Sequence, residues 1–176
     1  DGLVAARHFI NAGSETVIFI CAPEFSLTGD SKTNCDILRA MQADIIYLNS
    51  NNLDHLEEHV KNTDIIIDAL LGTGIRGPVS GYYADVINII NSAGKTVVSA
   101  DIPSGIDGSS GAVRGTAVRA DLTVTFGLPK VGNLVYPGRE YCGKLLIRDI
   151  GLPRKLLEET ETGIFLTEEA VLKELF

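Results

Sequence analysis

The chain has no apolar run near the ~20 consecutive residues that cross a bilayer, and it shows no secretory signal pattern. No membrane partner is expected. Cysteine is scarce: Cys21, Cys35 and Cys142 are an odd, scattered set. Such a set makes no disulfide framework and fits reduced structural thiols in a cytoplasmic protein. Positive charge is also short. Fifteen Lys and Arg against 23 Asp and Glu leave a formal net charge of −8, which excludes the basic face of a nucleic-acid binder. Repeats and low-complexity tracts are missing. The G-x-x-x-x-G-K-[ST] loop of P-loop nucleotidases is missing too. No Ser/His/Asp triad can be drawn, because His8 lies in the first helical turns and the other histidines, His55 and His59, sit together elsewhere.

What is present reads as one ordinary globular domain. The 176 residues are 45% hydrophobic and 22% charged, enough to bury a substantial core. The negative balance leaves room for a local anion pocket, since backbone amides at helix starts bind phosphate whatever the net charge. In chain order, residues 3–10 have helical spacing and stop at Gly13, a usual C-terminal glycine. A strand is predicted over 16–21, turn and capping residues over 28–34, and a helix over 34–42. A strand over 44–48 and a polar-faced helix over 53–61 follow. Late strands are predicted over 121–126 and 144–148, joined by a loop holding Gly127, Pro129, Gly132, Pro137 and Gly138. This alternation implies a mostly parallel sheet with helices on both faces. After Gly151-Leu152-Pro153 comes an acidic patch at 158–161, then a helix over 166–176 capped by Thr167.

The stretch 64–111 organises the rest. Two apolar runs, 65–71 and 96–100, each deliver an aspartate, Asp68 and Asp101, before glycine or proline takes over. A helix over 82–92 joins them, so both acids fall at the carboxyl edge of a parallel sheet, where open α/β folds place ligands. Between them, Gly72, Gly74 and Gly77 match G-x-G-x-x-G after a strand, and Asp101 could serve as a ribose-binding acid. The helix, however, begins only after Pro78, Ser80 and Gly81, so the amides belong to a longer loop and not to a first helical turn. Asp68 and Asp101, read as close carboxylates, would bind a cation or serve acid–base work. Ser104 adds a hydroxyl, so a hard cation fits the set and zinc does not. The H-x-x-E-H spacing at 55–59 suits a zinc peptidase, but its neighbours Asp54, Glu57 and Lys61 read as a solvated helix face.

The phrases DGLVAARH, LTGDSKTN, DIIIDALLGTGIRGPVSG, VVSADIPSGIDGSSG, ADLTVTFGLPKVG and YPGREYCGKLLIRDIGLP follow one another along the chain. Together they resemble the NAD(P)HX epimerase family, the YjeF N-terminal domain. The resemblance implies a Rossmann-like three-layer αβα sandwich with a mostly parallel sheet over residues 1–153, and a linker with the start of a following segment over 154–176. It implies an isomerase that interconverts the R and S forms of hydrated NADH and NADPH. In such a protein Gly72, Thr73, Gly74, Ile75, Arg76, Gly77, Pro78 and Asp101 would contact the hydrate, with Asp101 catalytic. Asp68 and Ser104 would ligate potassium. Asp1 would be the last contact of an NNGGDG phosphate loop whose earlier residues, with the strand before them, do not precede it in this sequence. A homodimer or higher oligomer, and fusion to an ADP- or ATP-dependent dehydratase, are implied as well. An NAD-dependent dehydrogenase, and a nucleotide- or partner-binding Rossmann module without turnover, are the alternatives.

Overall fold

The computed structural model describes residues 1–160 together with Ile164 and Leu166. The helix expected over 166–176 and its cap Thr167 lie outside the described residues. In chain order the elements are α1 (Gly2–Asn11), β1 (Val17–Ile20), α2 (Gly29–Ala40), β2 (Asp44–Tyr47), α3 (Leu53–Asn62) and β3 (Ile65–Asp68). Next come α4 (Tyr82–Ser92), β4 (Thr96–Ala100), β5 (Leu122–Phe126), α5 (Val131–Leu134), α6 (Gly138–Tyr141), β6 (Lys144–Arg148) and α7 (Arg154–Glu159). All pairings among these strands are parallel. β1 pairs with β2, and β3-β4-β5-β6 form a second sheet in that order. Parallel strands all end at one edge, and the register sets Asp68 beside Ser99 there.

Two cores hold the layers. Leu56 and Val60 of α3 and Val86, Ile87 and Ile90 of α4 are buried with Val97, and Phe19, Ile46 and Ile66 pack onto them. Residues of β1, β2, β3 and β4 thus share one apolar layer on the α3/α4 side, although no ladder among the described residues joins the two sheets. On α1 and α2, Ala6, Cys35 and Leu38 are buried against Ile18 and Ile20 of β1. Burial of such side chains, each worth roughly 1.5–3 kcal/mol, fixes which helix face turns inward.

Beyond shifts of a residue or two at element ends, three features differ from the sequence reading. Strand β3 stops at Asp68, because the next amides leave the ladder: Leu70 N–H donates to Asp68 Oδ1 at 3.3 Å and Leu71 N–H to Ser104 Oγ at 2.8 Å. Helix α2 begins at Gly29, five residues before the expected start. Its turn-forming residues point back into the helix instead, with Thr33 Oγ1 donating to Gly29 O and Asn34 Nδ2 to Asp30 O. A Lys32–Asp36 pair reinforces that turn. The glycine- and proline-rich connection before β6 contains α5 and α6. There Gly132 and Gly138 allow a contact no Cβ would permit, since side-chain carbons would collide with Asp107 O and Gly132 O respectively.

Candidate active site

The parallel strands bring the ends of β3 and β4 together, and α1 opens on the same edge. A Cβ at Gly2 would lie 2.7 Å from Ala69 Cβ, so the first turn of α1 rests on the end of β3. Asp1 is the N-cap. Its carbonyl accepts Ala5 N–H at 2.9 Å, and its side chain makes no capping bond.

Asp68 is 1% exposed. Four neutral donors reach its carboxylate: Ser99 Oγ at 2.7 Å and Ser104 N–H at 2.9 Å on Oδ2, with Ser104 Oγ at 2.5 Å and Leu70 N–H at 3.3 Å on Oδ1. Burial pushes its pKa up, and the hydrogen bonds from Ser104, Ser99 and Leu70 pull the other way. No cationic side chain pairs with it among the described residues. A buried carboxylate normally has such a partner or a metal ion. The hard oxygens gathered there suit a group-one ion, so the residues fit the potassium that the resemblance implies.

Asp101 sits just past β4 with φ of +70°, a left-handed conformation that is uncommon outside glycine and collects at functional sites. Several contacts hold it there. Its N–H donates to Val124 O at 2.7 Å, and its carbonyl accepts buried Asn133 Nδ2 at 3.0 Å. Thr125 Oγ1 and Phe126 N–H each donate to Oδ1 at 3.1 Å, and the Lys130 ammonium forms an ion pair with the same oxygen. Oδ2 takes no hydrogen bond within the described residues.

The two aspartates therefore do not form the shared carboxylate pair read from sequence. Asp68 turns to Ser99 and Ser104, whereas Asp101 turns to β5 and Lys130. Asp101 lies two positions past Ser99, the register partner of Asp68, so the pleat alone would turn both acids to one face; the left-handed turn re-aims Asp101.

The loop 72–78 is anchored at both ends to the loop that follows Asp101. Leu71 N–H donates to Ser104 Oγ, Val79 N–H donates to Arg114 O at 2.6 Å, and Thr73 lies over Gly108, where a Cβ would be 3.1 Å from its methyl. A cavity of about 420 Å³ opens along Gly74, Ile75, Arg76, Gly77 and Pro78, closed behind by Leu71 and Tyr83. Gly72 and Thr73 stand at its start, and Asp101 lies outside its lining. Arg76 is exposed and makes no ion pair among the described residues. Helix α4 starts at Tyr82, after Gly81 at φ +56°, so the third glycine does not enter the helix as a dinucleotide fingerprint requires. The Asp101 loop is itself braced by Asp107, which accepts Arg114 Nη2 at 2.6 Å and Nε at 3.1 Å, together with Ser110. The Arg114 guanidinium and the Ser110 donors hold the Asp107 carboxyl well below the usual carboxylate range.

The histidine pair stays apart from this edge. His59 Nδ1 lies 2.7 Å from His55 O within α3, and its ring packs edge-on against Phe19. No metal-ligand cluster of His, Cys, Asp or Glu occurs among the described residues. No helix among them is long and apolar enough to cross a membrane. Sequence reasoning missed Lys130, Thr125 and Asn133. A usable signal existed for Lys130: it follows the end of β5 within four residues, and parallel strands deliver such positions to one edge.

Comparison with known proteins places the chain. A family model described as "YjeF-related protein N-terminus" matches residues 1–132. A bifunctional NAD(P)H-hydrate repair enzyme Nnr from Thermofilum pendens is 44% identical over 164 residues, covering 93% of this chain and 31% of that protein. An NAD(P)H-hydrate epimerase from Pirellula staleyi is 35% identical over 162 residues, covering 92% of this chain and 71% of the relative. The chain thus spans about a third of the length of the first and most of the second. The crystal structure of yeast YNL200c superposes with a TM-score of 0.72 at 21% identity, over 90% of this chain and 64% of that one, a likeness of fold. With the family model matching well over half of its length, the chain belongs to the YjeF-related N-terminal family, whose relatives here include NAD(P)H-hydrate epimerases.

Proposed function

We propose that this chain is an isomerase acting on hydrated NADH and NADPH, interconverting their R and S forms. The observation that carries the reading is Asp101, a carboxylate in a left-handed turn at the strand edge, with one oxygen fastened to the protein and the other without a partner among the described residues. The hydrate bears a hydroxyl on a ring carbon next to nitrogen. Once protonated it leaves as water, because the nitrogen lone pair stabilises the cation that remains. Water returning to the opposite face gives the other epimer. Asp101 Oδ2 is the atom at which a proton is exchanged, and its charge lies beside the ring cation. The amides of 72–77, with the Thr73 and Arg76 side chains and Pro78 closing the loop, orient the pyrophosphate. Gly72 and Gly74 leave open space where a side chain would stand, and Asp1 at the start of α1 borders the same ligand. Asp68 and Ser104 would hold potassium, whose chemistry there is to offset a buried negative charge and tie the two loops together. A cytoplasmic homodimer or higher oligomer, fused to an ADP- or ATP-dependent dehydratase, is the assembly we propose, in keeping with the bifunctional relatives.

The test is direct. A single purified isomer of hydrated NADH is mixed with the protein, and the isomer ratio is followed by chromatography. The ratio should move to equilibrium, and Asp101→Asn should slow it about 10²-fold or more, the usual weight of acid–base catalysis. A dehydrogenase would instead oxidise NADH with a carbonyl substrate, and a binding module would hold the hydrate without changing it. Either result would overturn the epimerase reading.

A further inference from the structure

Lys130 reaches the site from the connection after β5. Its ammonium has three N–H groups and meets three acceptors: Asp101 Oδ1, Thr125 Oγ1 at 3.2 Å and Phe126 O at 3.3 Å. The last two contacts are long, and a ligand hydroxyl can replace either at little cost. The side chains of Lys130 and Asp101 are 23% and 20% exposed, so the pair is neither sealed off nor freely solvated. Every donor on Asp101 converges on Oδ1, and one of them is a cation. The pair thus sets a side chain with N–H protons to give beside a carboxylate whose second oxygen, Oδ2, meets no donor among the described residues.

We propose that Lys130 is the general acid of the epimerisation and Asp101 the base beside it, an assignment that rests on the epimerase reading above. The Lys130 N–H bond breaks as its proton passes to the ring hydroxyl. The carbon–oxygen bond then breaks with its electron pair leaving on water, and the ring nitrogen lone pair fills the vacancy at carbon. Lys130 becomes neutral as the ring becomes cationic, so positive charge moves within the site and does not accumulate. The Asp101 carboxylate lies beside the ring cation until water adds. Water then adds to the opposite face. Its surplus proton goes to Asp101 Oδ2 and is returned to Lys130 across their ion pair, restoring both groups.

Three variants test this in the full chain. Lys130→Arg keeps the charge and the ion pair with Asp101 but does not give up a proton near neutral pH. Lys130→Met keeps much of the packing and removes both. Each should lower kcat about 10²-fold or more, with the dissociation constant for the hydrate within about threefold of the parent. In Lys130→Gly, added alkylammonium ions should restore turnover, with rates that track the acidity of the amine. Arginine retaining the parental kcat would make Lys130 a charge clamp and overturn its role as acid. So would methionine retaining it, or rescue indifferent to amine acidity. If the parent itself leaves a single isomer unchanged, the epimerase reading falls instead, and this role with it.

Discussion

Asp68 is a carboxylate withdrawn from water with only neutral donors about it. Hydrogen bonds offset part of the desolvation, yet burial dominates and its folded-state pKa lies above the unfolded one. The sign follows: the fold is favoured while Asp68 is protonated, and it loses that advantage as pH rises through the raised folded value. An ion bound at Asp68 and Ser104 should restore stability in that upper range. Potassium at tenfold its dissociation constant adds about 1.4 kcal/mol, or roughly 3–6 °C in melting temperature for a chain of this size. Calorimetry at pH 8 in potassium chloride against choline chloride reads the difference, which Asp68→Asn should abolish. Identical melts in both salts for the parent would exclude a potassium site here. Asp107 behaves in the opposite sense. Its Arg114 and Ser110 partners depress it, so its contribution is present above the ordinary aspartate value near 3.9 and fades as pH falls below that. Asp107→Asn should therefore lower the melting temperature at pH 7, with the gap to the parent closing in acid. A gap that does not narrow at all between pH 7 and pH 2 would mean the ion pair is not its source. Of these residues, Asp68 and Asp101 were legible from sequence as acids ending apolar runs. Their separate orientations were not, because a left-handed turn after a strand has no side-chain signature when the residue is aspartate.

Elements with a strong period were legible: α4 and the strands β4 and β6 coincide with the residues expected from hydrophobic spacing. Helix α2 was read five residues short because Gly29, Asp30, Ser31 and Thr33 favour turns in isolation, and tertiary burial of Cys35 and Leu38 overrides that preference. The short helices α5 and α6 were hidden by glycines whose purpose is close approach, not flexibility. The loops make the same distinction testable. Gly105 has φ of +98° and a Cβ there would stand 2.7 Å from Ala117 Cα. Gly74 has open space around it and no left-handed backbone. Gly105→Ala should cost more than about 2 kcal/mol through strain and overpacking, seen as a lower denaturant midpoint. Gly74→Ala should leave that midpoint unchanged and raise KM for the hydrate several-fold, since the added methyl enters space left for the ligand. A large loss of stability at Gly74, with KM unaltered, would mark the loop as purely structural.

At the scale of the molecule, β1 and β3 each carry a ladder on one side only among the described residues. Two contacts show that these two strands flank the same gap. Helix α1, whose first turn rests on Ala69 beyond β3, packs against β1. Tyr83 of α4 donates to Cys21 O just beyond β1 at 3.1 Å. The α3/α4 core then spans both sheets without a strand between them, and Ile65 of β3 is exposed. Unpaired N–H and C=O groups along two facing edges are costly when shielded from water and invite pairing when open. One parallel strand would satisfy both edges, and the family resemblance implies such a strand followed by the NNGGDG loop to which Asp1 belongs. That loop would also add backbone amides at the start of α1, where a phosphate is best received. A chain extended N-terminally by this strand and loop should melt at a higher temperature and run as a single species on gel filtration. It should also bind hydrated NADH more tightly than the 176 residues alone, with a higher rate of epimerisation. If the two chains melt together and turn over at equal rates, the gap between β1 and β3 is a stable feature of the fold, and the phosphate is held by the loop 72–78 alone.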